Sequence, residues 1–324
     1  MIAIRTPLRV SLFGGGTDIP EYFKEYGGQV TGFTINKYIH IFASKIDIDQ
    51  GFKIRLSYKK NEDVLNIEDI QHPIFREVLK LYDFDDMYHF STMSCLPSGA
   101  GLGSSSSFTV GLIKILNMIK GINESKLQIA KKAISIERDI LEESGGWQDQ
   151  LHASFGGVNT FKFYNNSIDH INSAIDKDSI QKLNNSMYIL HTGITRNARD
   201  VEKSKIENIN VDLLKATHDL AIEGEKYIHN SKEISIKEVG LLLNEGWKIK
   251  KSLSKKVSNS EIDNIYNIIM DNGAYGAKLC GAGGGGFFLV LSNPQSLKKI
   301  RKNLPKSVLS KIRIDFNGIR HRKI

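Results

Sequence analysis

The sequence predicts an α+β protein of two domains. Three observations point there: a chain of 324 residues exceeds what one hydrophobic core usually serves, short β-branched and aromatic runs crowd its beginning while helical periodicity fills its later part, and strands and helices do not alternate in regular βαβ units. In residues 1–60 the runs Ile2–Ile4, Arg9–Phe13, Gln29–Phe33, Tyr38–Ser44 and Lys53–Tyr58 read as strands broken by Gly, Asn and Asp. A helix is expected over 74–82, a strand over His89–Cys95, and a helix over Ser105–Lys120 that stops at Gly121. Ser125 and Gln128 form a capping box for the next helix, whose apolar residues Leu127, Ala130, Ala133, Ile134 and Leu141 recur at helical spacing until Gly145-Gly146. Residues 156–171 suggest a hairpin turning at Asn165-Asn166. Beyond a boundary near 165–185, Met187–His191 reads as a strand, 200–230, 237–256 and 261–272 as helices, and Phe287–Leu291 as a buried strand. The expected division is an N-terminal domain over 1–175 and a C-terminal domain over 176–324.

Composition narrows the function classes. With 40% hydrophobic residues, 25% charged residues and 6 prolines the chain is an ordinary folding sequence. Its net charge of +8 favours anionic ligands, but the lysines are dispersed and the densest run, Lys298–Lys302, falls on a surface helix, so nucleic acid is not expected as a partner. Cys95 and Cys280 lie far apart in no metal-ligand spacing, which suits a reducing compartment and two small core residues. The N-terminus lacks a signal peptide's pattern and no apolar run approaches the roughly 18 residues of a membrane span, so a cytoplasmic protein with no membrane partner is expected. A homodimer stays open.

Pro97-Ser-Gly-Ala-Gly-Leu-Gly-Ser-Ser-Ser-Ser107 carries the strongest chemical signal. Glycines between a strand and a helix let successive backbone N–H groups face one concavity, and the helix N-terminus adds partial positive charge, which together make a phosphate cradle of Gly99, Ala100, Gly101, Leu102, Gly103, Ser104, Ser105 and Ser106. The plainer alternative is a Gly/Ser turn ending in an N-cap serine; a Walker loop is absent. Glu137 shares a helix face with Ala133, Ile134 and Leu141, and a buried carboxylate calls for magnesium or a basic partner. In Gly145-Gly-Trp-Gln-Asp-Gln150, Asp149 is placed to orient or deprotonate a hydroxyl, or simply to cap a helix. Arg9-Val-Ser-Leu-Phe-Gly-Gly-Gly-Thr-Asp18 ends a strand in a glycine turn that presents Asp18. There Arg9 is suited to holding an aspartate ionised or to stabilising phosphoryl charge, if it is not merely structural. Gly281–Gly286 formally fits a dinucleotide fingerprint, but the segment after it reads as a strand, not a helix.

In this order, Arg9–Asp18, Pro97–Ser107 and Lys278-Leu-Cys-Gly-Ala-Gly-Gly-Gly-Gly286 resemble the three motifs of the GHMP kinases, the family of galactokinase, homoserine kinase and mevalonate kinase. The resemblance implies a mixed αβ N-terminal domain, a ferredoxin-like C-terminal domain and a cleft between them using ATP and Mg2+. By matching position it implies Ser105 and Glu137 as metal ligands, Asp149 as base or orienting group with Arg9 as its charge partner, Asp18 as a sugar-hydroxyl contact, and a Gly281–Gly286 loop packed beside the phosphate loop. Gly15 and Gly16 stand where galactokinases carry Glu-His, which argues against galactose. Phe-Gly-Gly-Gly-Thr17-Asp18, Gly-Gly-Trp-Gln148-Asp-Gln and His191–Arg196 look most like the D-glycero-D-manno-heptose 7-phosphate kinases, which implies a sugar phosphate substrate bound with Gly15, Gly16, Thr17, Asp18, Gln148 and Arg196. It also implies transfer to the anomeric hydroxyl in nucleotide-activated heptose synthesis for surface polysaccharide. Fucokinases share the Gly-Gly-Trp-Gln-Asp-Gln pattern, and a non-catalytic sugar or nucleotide sensor is the rival of another class.

Overall fold

The computed structural model describes residues 1–324 except 98, 166, 173–174, 195–197, 208, 231–232 and 324. Two sheets organise it. The larger, eight-stranded sheet contains β1 (Ile2–Phe13), β2 (Gly28–Lys45), β3 (Ile54–Ser57), β4 (Asn61–Val64), β5 (Tyr88–Ser94), β6 (Val158–Tyr164) and β7 (Ser167–Asn172), together with β12 (Arg320–Lys323) from the C-terminus. The smaller sheet orders β11 (Leu309–Lys311), β8 (Met187–His191), β10 (Phe287–Leu291) and β9 (Gly276–Leu279), all antiparallel.

The first two predicted strands are one continuous β1, and the next two are one β2. Pro7 looks like a break in sequence, yet a register shift at Pro7/Leu8 absorbs it, and the ladder resumes. A second shift at Ser11/Phe13 takes Leu12 out of register just where the strand reaches its glycine turn. Strand β2 bridges the sheet: Gly28–Phe33 pairs with β6 and Ile39–Lys45 pairs with β5.

The helices α1 (Pro20–Tyr26), α2 (Pro73–Leu81), α3 (Ser104–Lys120), α4 (Lys126–Ser135) and α5 (Gln148–Phe155) precede the hairpin β6–β7; α6 (Lys177–Ser186), α7 (Ala198–Glu207), α8 (Val211–Glu225), α9 (Ile236–Leu253), α10 (Ser260–Asp271) and α11 (Pro294–Asn303) follow it. Val110, Leu112, Ile113, Ile115 and Leu116 are all fully buried, so α3 is apolar around its circumference, as befits a central helix between the sheet and other helices. The single helix expected over 200–230 is divided, because the Asn210 side chain accepts from the Leu213 N–H and starts α8 afresh. The capping box at Ser125 forms as expected, but α4 passes at Ile136 into a π-helical turn, Ile136–Ile140, that contains Glu137. Cys280 is buried while Cys95 is exposed, which corrects the expectation of two core cysteines. Among the described residues no helix is long and apolar enough to cross a membrane.

The two glycine loops meet backbone to backbone. A Cβ on Gly281 would lie 2.4 Å from the Gly101 Cα, and one on Gly101 would lie 2.6 Å from the Cys280 carbonyl oxygen, with both residues at positive φ. This close approach joins the phosphate loop to the smaller sheet. Gly281→Ala is therefore expected to lower stability by about 1–3 kcal/mol, because the residue must be strained and the loops must separate. A melting temperature equal to that of the wild type would contradict the role assigned to this contact.

Candidate active site

A cleft of about 250 Å³ opens where β1, the loop before α3, the first turn of α5 and the Gly281 loop converge. Its centre is Arg9. From β1 the guanidinium donates Nε to Asp149 Oδ1 at 2.6 Å and Nη2 to Asp149 Oδ2 at 2.7 Å, while Nη1 donates to the Gly101 carbonyl at 2.9 Å. One side chain thus ties the strand, the helix and the phosphate loop together. Burial alone disfavours the Arg9 charge, but the Asp149 carboxylate and further neighbours outweigh it and raise the pKa. The Asp149 side chain keeps 24% exposure towards the cleft. Each of its oxygens has one lone pair left for a ligand hydroxyl.

The three residues of Gln148-Asp149-Gln150 each hold a different charge. Gln148 donates its backbone N–H to Asp18 Oδ2 at 3.0 Å and its Nε2 to Asp18 Oδ1 at 3.1 Å, and the Gly16 N–H adds a third bond at 2.9 Å. Asp18 is buried and caps α5 from a distant segment, a function Trp147 at the N-cap does not perform with its own side chain. Burial raises the Asp18 pKa against the pull of those backbone donors. Gly146 permits the approach, since a Cβ there would sit 1.8 Å from Asp18 Oδ2. Gln150 donates Nε2 to Glu137 Oε2 at 2.6 Å.

Glu137 is 4% exposed and accepts also from Ser106 Oγ at 2.7 Å and Thr109 Oγ1 at 2.5 Å. All three partners are neutral. Burial, only partly opposed by them, pushes its carboxyl up to about 7. The buried carboxylate lines the cleft beside Ser104, Ser105 and Ser106, a donor set that fits a divalent cation shared with phosphate oxygens. Ser105 is exposed in the cleft, whereas its neighbour Ser106 spends its hydroxyl on Glu137. The N-cap of α3, Gly103 at φ 73, offers no side-chain cap, so the first amides of the helix stay available to an anion.

The other expected residues divide. Gly15, Gly16, Asp18, Gln148, Gly99, Gly101 and Gly103 line the cleft. Ala100 and Leu102 bury their side chains beneath the loop. Thr17 is fully buried, and its hydroxyl lies 2.8 Å from the Gly14 carbonyl and 2.9 Å from the Gln29 carbonyl, sharing its one hydrogen between them, and accepts the Gln29 N–H, bracing the turn from behind. Arg196 lies outside the described residues. Lys278 was missed by the sequence reading. It is 6% exposed, lines the cleft, and its Nζ donates to Leu12 O, the residue taken out of register at the end of β1, at 2.6 Å. Burial, reinforced by nearby Arg9, lowers its pKa to about 8. A lone lysine in an otherwise apolar buried strand was the available signal.

Residues 73–157 match the GHMP kinases N terminal domain model and residues 227–310 the GHMP kinases C terminal model. The chain is 34% identical over 316 residues to D-glycero-alpha-D-manno-heptose 7-phosphate kinase of Campylobacter jejuni, covering 94% of this chain and 93% of that one. The chain belongs to the GHMP kinases. Within this family it is also 26% identical to the L-fucokinase/L-fucose-1-P guanylyltransferase of Bacteroides fragilis, over 94% of this chain but 36% of that one. A crystal structure described as a D-glycero-D-manno-heptose 1-phosphate kinase from Bacteroides thetaiotaomicron shares the fold, with TM-score 0.81, 21% identity and coverage of 100% of this chain and 99% of that chain.

The depressed pKa of Lys278 has a stability signature. Its neutral form is favoured in the fold, so the associated stability is present above the unfolded value near 10.5 and is lost as pH falls through about 8. Between pH 8 and 10.5 the wild type is expected to gain about 3 kcal/mol relative to Lys278→Met. Chemical unfolding of both proteins across that range checks it; a constant difference would contradict the burial of this charge.

Proposed function

We propose that this GHMP kinase transfers the γ-phosphoryl group of ATP to the anomeric hydroxyl of D-glycero-D-manno-heptose 7-phosphate. The product is the 1,7-bisphosphate, on a cytoplasmic route to nucleotide-activated heptose for surface polysaccharide. The observation that carries the transfer reading is the Asp149 carboxylate, clamped by Arg9 and facing the same cleft as the uncapped N-terminus of α3. The heptose reading is supported by the full-length likeness to the Campylobacter jejuni kinase. A division of the chain near residue 175 would place the phosphate loop and Asp149 in the first domain and Lys278 in the second.

In this reading the glycines at 99, 101 and 103 and the amides of Ser104–Ser106 cradle the phosphates. Glu137 with the hydroxyl of Ser105 would hold magnesium, which would supply positive charge against the phosphates. Asp149 accepts a hydrogen bond from the anomeric hydroxyl and holds its oxygen in line with phosphorus. As the new O–P bond forms and the bond to ADP breaks, the hydroxyl proton passes to Asp149. Arg9 supplies positive charge beside the transferring group, and Lys278 adds to it below its pKa of about 8.

Asp149→Asn is expected to lower kcat by a hundredfold or more while the KM for ATP changes little. A loss of less than tenfold would remove Asp149 from this role. The acceptor is tested by ADP release with heptose 7-phosphate, L-fucose, galactose and mevalonate. Turnover confined to the heptose phosphate is expected. Turnover only with L-fucose would favour the fucokinase-like alternative, and binding without turnover would favour a sensor.

A further inference from the structure

The cationic side chains that line the cleft fall into two groups. Arg9, Lys250 and Lys278 stand at the phosphate-loop end: Arg9 donates to the Gly101 carbonyl, Lys250 Nζ to the carbonyls of Leu279 and Gly281 at 2.8 and 2.5 Å, and Lys278 Nζ to that of Leu12. Arg138 stands apart from them. It follows Glu137 in the π-helical turn Ile136–Ile140, and two bonds fix its guanidinium: Nη2 donates to Glu21 Oε1 of α1 at 2.5 Å and Nη1 to the Glu143 carbonyl at 3.0 Å. The second bond sets the guanidinium against the peptide that joins Glu143 to Ser144. The hydrogen on Nε and the second hydrogen on each Nη are left over. The side chain is 14% exposed, and none of its nitrogens is buried without a partner. A guanidinium held at two corners with its other hydrogens open is preorganised for an oxyanion.

The loop that follows supplies further donors. Ser144, Gly145 and Gly146 line the cleft beside Arg138, and their backbone N–H groups find no acceptor among the described residues. Ser144 Oγ is also without a partner among the described residues, and it is not buried. The wall is open here. A Cβ on Gly145 would meet nothing within 4 Å, and Gly145 is not among the residues at positive φ, so its backbone does not demand glycine. Glu143 on the same wall is itself engaged within the protein.

We infer that Arg138, Ser144 and the amides of Gly145 and Gly146 form a subsite for a phosphate monoester carried by the acceptor, at the end of the sugar away from the hydroxyl that Asp149 orients. Arg138 and Ser144 donate to the phosphate oxygens, and the loop amides supply the remaining bonds. A neutral sugar leaves these donors to water, so the subsite favours a phosphorylated acceptor. Its place also suits the transfer. The phosphate loop and the three other cations hold the nucleotide's phosphates at one end of the cleft, and a subsite on the opposite wall keeps the acceptor's own phosphate away from them, which limits repulsion between the two anions. This inference rests on the sugar phosphate reading of the cleft.

The test compares heptose 7-phosphate with the same heptose lacking its phosphate and reads the ratio of their kcat/KM values. Arg138→Met is expected to lower that ratio about ten- to hundredfold, and Ser144→Ala about three- to tenfold. Gly145→Asp, which sets a carboxylate into open space, should lower it by about tenfold or more, and it decides the matter if Arg138→Met does not fold once Glu21 has lost its partner. An unchanged ratio in Arg138→Met, or in Gly145→Asp where the first variant does not fold, overturns the subsite; if the wild type still prefers the phosphorylated sugar, the heptose phosphate reading stands without it. A wild type that uses a neutral sugar as well as the phosphorylated one overturns both. If the protein binds the sugar phosphate without transfer, the kinase reading fails, and the same ratio, read on dissociation constants by calorimetry, decides the subsite.

Discussion

The bidentate ion pair between Arg9 and Asp149 is the constraint on which the site depends. Its two partners come from the first strand and from a helix 140 positions later, and the third guanidinium bond reaches the phosphate loop. Arg9 is almost fully buried, so its charge demands a partner; Asp149 meets that demand and still faces the cleft. The aspartate is held at both oxygens by a planar fork, which fixes the direction in which its remaining lone pairs point. In the proposed transfer, that rigidity is what orients the reacting hydroxyl.

The same economy governs the first turn of α5. Consecutive residues Gln148, Asp149 and Gln150 connect to Asp18, Arg9 and Glu137, which belong to the glycine turn after β1, to β1 itself and to the π-helical turn after α4. On the proposed reading, acceptor recognition, hydroxyl orientation and cation binding would thereby be held in one frame by one helical turn. Lys278 extends the frame to the smaller sheet through its bond to the Leu12 carbonyl, which the bulge in β1 releases from the ladder.

Much of this was legible in the sequence because it is local. The glycine and serine loop, the strand before it and the helix after it follow from φ requirements and capping, and the Ser125–Gln128 box formed as read. The parts that were not legible depend on partners far along the chain. Helix α5 has no capping side chain of its own, because Asp18 supplies the cap across 130 positions. The continuity of β1 through Pro7 depends on a bulge in β2, where Asn36 and Lys37 stand unpaired opposite the Pro7–Leu8 step, that local propensity does not reveal. Glu137 was identified as a buried carboxylate, but its Ser106, Thr109 and Gln150 donors were not, and neither was the turn of Thr17 away from the cleft. The Lys278 signal was present as a charge in a buried strand and was passed over as part of a glycine motif.

The central claim is that Asp149 directs an anomeric oxygen at the terminal phosphorus of ATP. Heptose 7-phosphate labelled with ¹⁸O at its anomeric hydroxyl tests it most directly, with the product examined by ³¹P NMR. The account predicts a new phosphorus signal, coupled to the anomeric proton and shifted by ¹⁸O in the bridging position. A new phosphorus signal without the ¹⁸O shift while the unreacted heptose phosphate still carries its label, or a phosphate attached at any other carbon, would contradict it.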